Sequence, residues 1–427
     1  MSESFLGSAL HGAAALFLAI ATFLVFVIWS IKRHRSPKLK IEYGATIDAL
    51  MPSLAGLTLG SMTSGNSVQL LENGKFFDVL IERIGAAQQT VHFETYLWKE
   101  GKLGQRMADA LSERARSGLK VRVLLDATGS KKIGKSERKQ MEDAGCKLAM
   151  FHERSIYTIG VMNERDHRKL AVIDGKEAFV GGHCVVDEWL GDAEDGRHYA
   201  DLSVHLHGPI VHSVQAAFSE NWGGQTGELF VGDAVFPELK PAGEVSIHAA
   251  YAKPEGSAPA VKILHHTVIC LAQKRIWIQN PYFIPKPEAI DAFGEAVKRG
   301  VDVRVMMPST GGSDNPMVQH AGHRNFEKLL KCGVRLFEYP HTLLHQKAMT
   351  IDGVWSAIGS SNFDDRSFDT NDELTLSVKD EALAGQLDAV FEKYVARCQE
   401  IELKAWQQRG LWHKFKDNWF YVFNEVL

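Results

Sequence analysis

HRKLAVIDG at residues 167–175 returns as HQKAMTIDG at residues 345–353. Both read HxKxxxxD followed by glycine, an apolar run closed by an Asp-Gly turn signal. A short apolar run bounded this way is a strand signal. If each motif is a strand, period-2 alternation puts His167 with Lys169, and His345 with Lys347, on one face. Asp174 and Asp352 fall on the other face at the turn, where a carboxylate bonds nearby backbone groups. Both belong to the catalytic motifs, with an expected structural part in them.

The repetition extends outward from these motifs. Residues 90–98 (TVHFETYLW) read as a strand, 104–117 as a helix stopped by Gly118, and 121–126 (VRVLLD) as a second strand. In the second half, 275–283 (RIWIQNPYF) is the strand, 287–299 the helix with Pro287 at its start and Gly300 past its end, and 303–307 (VRVMM) the partner strand. AGCKL at 144–148 matches KCGVRL at 331–336, and ADLSV at 200–204 matches DELTL at 372–376. Residues 244–251 (EVSIHAAY) open the second half, echoing residues 67–71. Strands alternating with helices imply an α/β fold. The expectation is a duplicated unit with two pseudo-symmetric β-sheets covered by helices.

The chain has 427 residues, 45% hydrophobic and 23% charged, with a formal net charge of −4. That describes a folded chain and gives no basic excess for nucleic acid, so no nucleic-acid partner is expected. Its five cysteines are scattered without a CxxC pair, which indicates neither a disulfide framework nor a zinc knuckle, and fits a reducing compartment. Ahead of the repeats, residues 13–31 carry no charge and are long enough to cross a bilayer core of ~30 Å as a helix. Lys32, Arg33, Arg35, Lys38 and Lys40 follow, while the amino flank holds only Glu3; the positive-inside rule then puts everything after the span in the cytoplasm. At the other end, Trp412, Phe415, Trp419, Val422, Phe423 and Val426 recur at helical spacing. Such a stripe suits either a membrane surface or the protein core. Four segments result: an anchor with basic flank (1–40), a first half (41–231), a linker and second half (232–400), and an amphipathic tail (401–427).

A histidine beside a lysine suits phosphate chemistry. Imidazole attacks phosphorus or passes a proton near neutrality. An ammonium stabilises charge on non-bridging oxygens. One unit lacks either the nucleophile or the acid; two facing units supply both. Asp201 and Glu373, equivalent acids after each motif, are candidates to orient the imidazoles. Ser360 and Asn362 in GSSNFDDRSFDTNDE (359–373) can donate to a phosphate or support the catalytic groups from behind. His341 and His345 have helical metal-ligand spacing, but with Pro340 before them and no HExxH pattern no metal site is expected, and no cofactor.

These motifs, with SVQLLENG at 67–74, FETYLW at 93–98 and NPYFIP at 280–285, resemble the phospholipase D superfamily and, within it, the bacterial cardiolipin synthases. The resemblance implies exchange through a phosphatidyl-histidine, with His167 the nucleophile, His345 the acid and then base, and Lys169 and Lys347 holding phosphate. It implies phosphatidylglycerol and membrane lipid as partners, a bacterial inner-membrane location, and joining of two phosphatidylglycerols with release of glycerol. A phospholipase D-type hydrolase is the alternative, and self-association is open. One departure stands out: Cys184 occupies the position where the first motif usually continues to GGxN.

Overall fold

The structure is a computed structural model. It describes residues 11–24, 39, 41, 46–153, 163–253 and 259–422. The chain divides into two compact units, Met1–Lys38 and Leu39–Leu427. In the first, residues 11–24 are helical (α1). They form part of the expected span; residues 25–31 and the basic side chains at 32, 33, 35, 38 and 40 lie outside the described residues. Among the described residues no helix is long and apolar enough to cross a membrane.

The second unit begins with α2 (Leu50–Thr58). The first repeat runs β1 (Ser61–Glu72), α3 (Lys75–Ala86), β2 (Thr90–Thr95), α4 (Lys102–Arg116), β3 (Lys120–Asp126), α5 (Lys135–Asp143), β4 (Lys147–Phe151), β5 (Leu170–Ile173), β6 (Glu177–Gly181), β7 (Leu202–His207) and α6 (Val211–Thr226). The second repeat follows the same plan: β8 (Val245–Ala252), α7 (Ala260–Leu271), β9 (Arg275–Gln279), α8 (Pro287–Lys298), β10 (Asp302–Pro308), α9 (Pro316–Lys331), β11 (Arg335–Tyr339), β12 (Ala348–Ile351), β13 (Trp355–Gly359), α10 (Asp365–Asp369), β14 (Glu373–Lys379) and α11 (Glu381–Val395). Last come β15 (Gln399–Glu400), α12 (Leu403–Gln407) and α13 (Leu411–Tyr421).

Local chemistry accounts for these bounds. α4 buries Leu103, Met107, Ala108 and Leu111, the one-sided stripe of a surface helix. Gly118 and Gly300, at φ +90° and +91°, follow α4 and α8 in the left-handed region that ends helices. β2, β5 and β6 are buried along their whole length, as strands covered on both faces are.

The strands run in the order β15-β11-β10-β9-β12-β13-β14-β8-β1-β7-β6-β5-β2-β3-β4. Without β15 that order is a palindrome of equivalents, with β8 meeting β1 at its centre. Two separate sheets were expected; the structure has one sheet of 15 strands. The reason is the length of β1, whose 12 residues serve both halves. Its first part pairs antiparallel with β8, from Ser61 opposite Ala249, and its last part with β7, from Ser67 opposite His207. The register shifts between Thr63 and Asn66, where Gly65 takes φ +85° and lets the strand bend from one partner to the other.

The tail helix α13 keeps the described residues of its aromatic stripe off the core. Its inner face, with Asp417 1% exposed, packs on α9. Its outer face leaves Trp412, Phe415 and Trp419 more than half exposed, their rings in a stacked row 5.3 and 6.1 Å apart. Phe423 and Val426 lie outside the described residues.

Candidate active site

β5 starts at Leu170 and β12 at Ala348, so each His-x-Lys stands just ahead of its strand. There the backbone pairs with the opposite repeat. His167 N–H donates to Asp372 O (2.9 Å) and Asp372 N–H to Arg165 O (2.8 Å). His345 N–H donates to Ala200 O (2.8 Å) and Ala200 N–H to Leu343 O (3.0 Å). Each histidine is thereby laid beside the acid that follows the other motif. His167 Nδ1 sits 2.9 Å from Glu373 Oε1, and His345 Nδ1 sits 2.6 Å from Asp201 Oδ2. The pairing is crossed, and both carboxylates are fully buried.

Each acid has a second donor, and these differ between halves. Ser360 donates its hydroxyl to Glu373 Oε2. Of its two expected parts, contact with phosphate or support behind the catalytic groups, Ser360 is placed for the second: it holds the acid. The equivalent position in the first repeat is Gly182, where an added Cβ would come within 2.2 Å of Asp201 Oδ1. A side chain is excluded there, and Trp189 Nε1–H donates to Asp201 Oδ2 instead, at 2.7 Å. Asn73, buried with φ 53°, accepts the Asp201 N–H at 3.0 Å and braces it from β1.

Both histidines line one cavity of about 390 Å³, together with Cys184, Asn362, Arg165 and Arg366. The Asn362 amide oxygen is buried with no hydrogen-bond partner among the described residues. Cys184 is its counterpart and is fully buried, so the two ends of the cavity differ in polarity. Tyr96 meets His167, and Trp189 meets His345, edge to face at 5.1 Å, fixing each ring plane.

The lysines stand behind the imidazoles. Lys169 Nζ donates to His167 O (2.6 Å) and Lys347 Nζ to His345 O (2.7 Å). Lys347 Nζ also lies 2.7 Å from His345 Nε2. Burial, with the Lys169 ammonium nearby, pushes Lys347 down to about 7 despite the Asp201 and Glu373 charges. Burial lowers His167 to about 4 despite the Glu373 charge. His345 is held well below its ordinary value by burial and then by Lys347 and Lys169. Burial raises Glu373, but His167 and Lys169 outweigh it and keep the carboxyl below its ordinary value. Both histidine shifts favour the neutral imidazole, and burial raises Asp201 where Glu373 is held down, so the two acid–histidine pairs differ in charge balance.

Asp174 and Asp352 stand apart from this chemistry, at the far ends of β5 and β12. Asp174 accepts the N–H groups of Gln88, Gln89 and Thr90, and Asp352 those of Gln273, Lys274 and Arg275. They take the structural part expected of them within the motifs: each is at φ above +50° and ties a turn to the start of the neighbouring strand, β2 or β9.

Sequence reasoning did not single out Trp189, Arg165, Arg366 or Asn73. Asn73 and Arg366 lie in stretches that carried the family resemblance; Trp189 sits in a short turn with no pattern to mark it.

Comparison with known proteins agrees with this geometry. The family described as "Cardiolipin synthase, PLD-like domain" matches residues 80–222 and 266–395. A cardiolipin synthase of Staphylococcus aureus is 31% identical over 370 residues, covering 86% of this chain and 74% of that one. Cardiolipin synthase 1 of Staphylococcus epidermidis is 32% identical over 371 residues, covering 86% and 75%. Among solved structures, a phosphatidylserine synthase of Haemophilus influenzae superposes with a TM-score of 0.68 at 14% identity, over 88% of this chain and 99% of that one. That likeness carries the fold alone.

Proposed function

The chain belongs to the cardiolipin synthase family of phospholipase D-like proteins, and on that premise we propose that it joins two phosphatidylglycerol molecules into cardiolipin, releasing glycerol, through a phosphatidyl group on His167. The observation that carries the reading is the crossed arrangement: two imidazoles lining one cavity, each with a buried carboxylate at Nδ1.

In the first step the Nε2 lone pair of His167 attacks phosphorus. The P–O bond to the glycerol headgroup breaks, and the leaving oxygen takes a proton from His345 Nε2, where the Lys347 ammonium 2.7 Å away supplies it, so that the imidazole stays neutral and Lys347 is left as the amine. In the second step the headgroup hydroxyl of another phosphatidylglycerol attacks the phosphorus, His345 takes its proton, and the P–N bond breaks. Glu373 and Asp201 stabilise positive charge on the rings as it develops. Among the described residues a side-chain hydrogen bond reaches only Nδ1 of His167, whereas both ring nitrogens of His345 are engaged. That difference supports His167 as the nucleophile and a Lys347–His345 pair as the proton carrier. Arg165 and Arg366 at the cavity wall give it affinity for phosphate, with the charges of Lys169 and Lys347 behind the imidazoles adding to the field, and Asn362 supplies a polar group at the wall.

Purified protein incubated with phosphatidylglycerol should yield cardiolipin and glycerol in equal amounts, read by mass spectrometry. Phosphatidic acid and glycerol as the main products would make the enzyme a hydrolase and overturn the transfer reading.

The finer placement is also proposed: residues 13–31 anchor the chain in the bacterial inner membrane, the two halves with their 41–231 and 232–400 bounds lie on the cytoplasmic side, and the exposed aromatic face of α13 meets lipid. Protease added outside spheroplasts should leave the catalytic unit intact; its digestion there would reverse the topology.

A further inference from the structure

Away from the catalytic cavity, α9 and α13 bring four ligating groups together. His320 and His323 sit one turn apart on α9, and His413 and Asp417 one turn apart on α13, so each pair shares a helix face. The ligating atoms of all four lie within 4.8 Å of one another. His320 Nδ1 is 2.8 Å from Asp417 Oδ1, His413 Nε2 is 3.4 Å from it, and His323 Nδ1 is 3.6 Å from it. His323 Nδ1 and His413 Nε2 are 3.2 Å apart. A tetrahedral zinc at its usual ~2.0–2.1 Å from nitrogen and oxygen separates its ligands by about 3.3 Å. The four separations straddle that value.

The surroundings fix which atoms face the cluster. His323 Nε2 lies 3.3 Å from Glu338 Oε1 on β11. Nε2 has no hydrogen-bond partner among the described residues, but the nearby carboxylate charge favours a proton there, which leaves the Nδ1 lone pair for the centre. Arg409 donates to Asp417 Oδ2 at 3.0 Å, which leaves Oδ1 for the centre. A carboxylate behind a ligating imidazole is the usual outer partner of a metal-bound histidine. Hydrogen bonds join the group only in pairs, His320 with Asp417 Oδ1 and His323 Nδ1 with His413 Nε2, although all four atoms converge on one centre. A cation takes all four lone pairs at once.

We propose that His320, His323, His413 and Asp417 form a closed, structural zinc site that staples α13 to α9. Three imidazoles and one carboxylate favour a borderline transition metal over magnesium or calcium, which prefer all-oxygen shells. None of the four ligands lines the catalytic cavity, so the metal takes no part in the chemistry there. Its effect is positional. α9 starts directly after Asp314 and Asn315, two residues of the cavity wall. Phe420 and Tyr421 of α13 pack on the Ile284–Val318–Ala321 cluster, as does Tyr282, a third. The metal would lock the tail helix at the rim of the site with its aromatic face outward.

The test is metal analysis of the full chain, purified without chelator or histidine tag. About one zinc per chain is expected, with cobalt(II) loaded after zinc removal giving the visible spectrum of a tetrahedral N/O site. His413→Ala should lose the stoichiometric metal. Glu338→Gln, which removes no ligand, should weaken zinc binding by about 10–100-fold while leaving the fold intact. The proposal fails if the wild-type chain neither carries nor takes up zinc or cobalt, or if His413→Ala and Glu338→Gln both bind zinc as tightly as wild type.

Discussion

Replacing His167 with alanine is expected to lower phosphatidyl transfer by about four orders of magnitude or more, and the His167/His345 double variant should be little worse than either single one. The site works as a unit, one ring forming the bond to phosphorus and the other handling the proton, so losing either stops turnover with the natural substrate. The two variants separate when the leaving group needs no protonation. Given a phosphatidyl ester of p-nitrophenol, His345→Ala should still form a covalent adduct and release nitrophenolate, because a good leaving group depends little on a general acid. His167→Ala should form none. Rapid quench and peptide mapping of the wild-type enzyme would find the phosphatidyl group on His167. An adduct mapped to His345, or near-wild-type turnover in either single variant, would break the assignment.

The duplicated architecture was legible because both halves solve the same local problems with the same residues. Pro287 and Gly300 bound α8, Gly118 stops α4, and the IDG turns end β5 and β12 where the sequence puts them. What joins the halves was not legible. That β1 serves two partners depends on a bend at Gly65 and on how β7 and β8 meet it, which no periodicity within one strand reports. The acids were found as a pair, but which histidine each would serve is set by the Arg165–Asp372 and Ala200–Leu343 backbone bonds between repeats. Ser360 was read by its chemistry, and a hydroxyl suits phosphate and carboxylate equally; only its distance to Glu373 decides. His320 and His323 have helical spacing in the sequence, yet their partners lie on a helix some ninety residues later, where His413 and Asp417 interrupt an aromatic stripe.

The crossed pairing makes the second large expectation, and it is one that a same-half pairing reverses. Glu373 follows the second motif in sequence but bonds to the histidine of the first. Glu373→Gln should therefore behave as a His167 lesion: no adduct even with the nitrophenyl ester, and transfer reduced by up to about 10⁴-fold, the scale seen when a buried acid behind a catalytic histidine becomes an amide. The physical cause is twofold. An amide does not hold the Nδ1–H tautomer that leaves Nε2 its lone pair, and it cannot balance the charge that forms on the ring when it bonds to phosphorus. Asp201→Asn should instead behave as a His345 lesion. Its adduct should form normally with the nitrophenyl ester and then persist, because the acceptor hydroxyl has lost an effective base. Trp189 Nε1–H can still donate to the side-chain oxygen of an asparagine, so that variant should keep its fold, which thermal unfolding would verify. If Glu373→Gln accumulates adduct while Asp201→Asn forms none, each acid serves the histidine of its own half in the working enzyme.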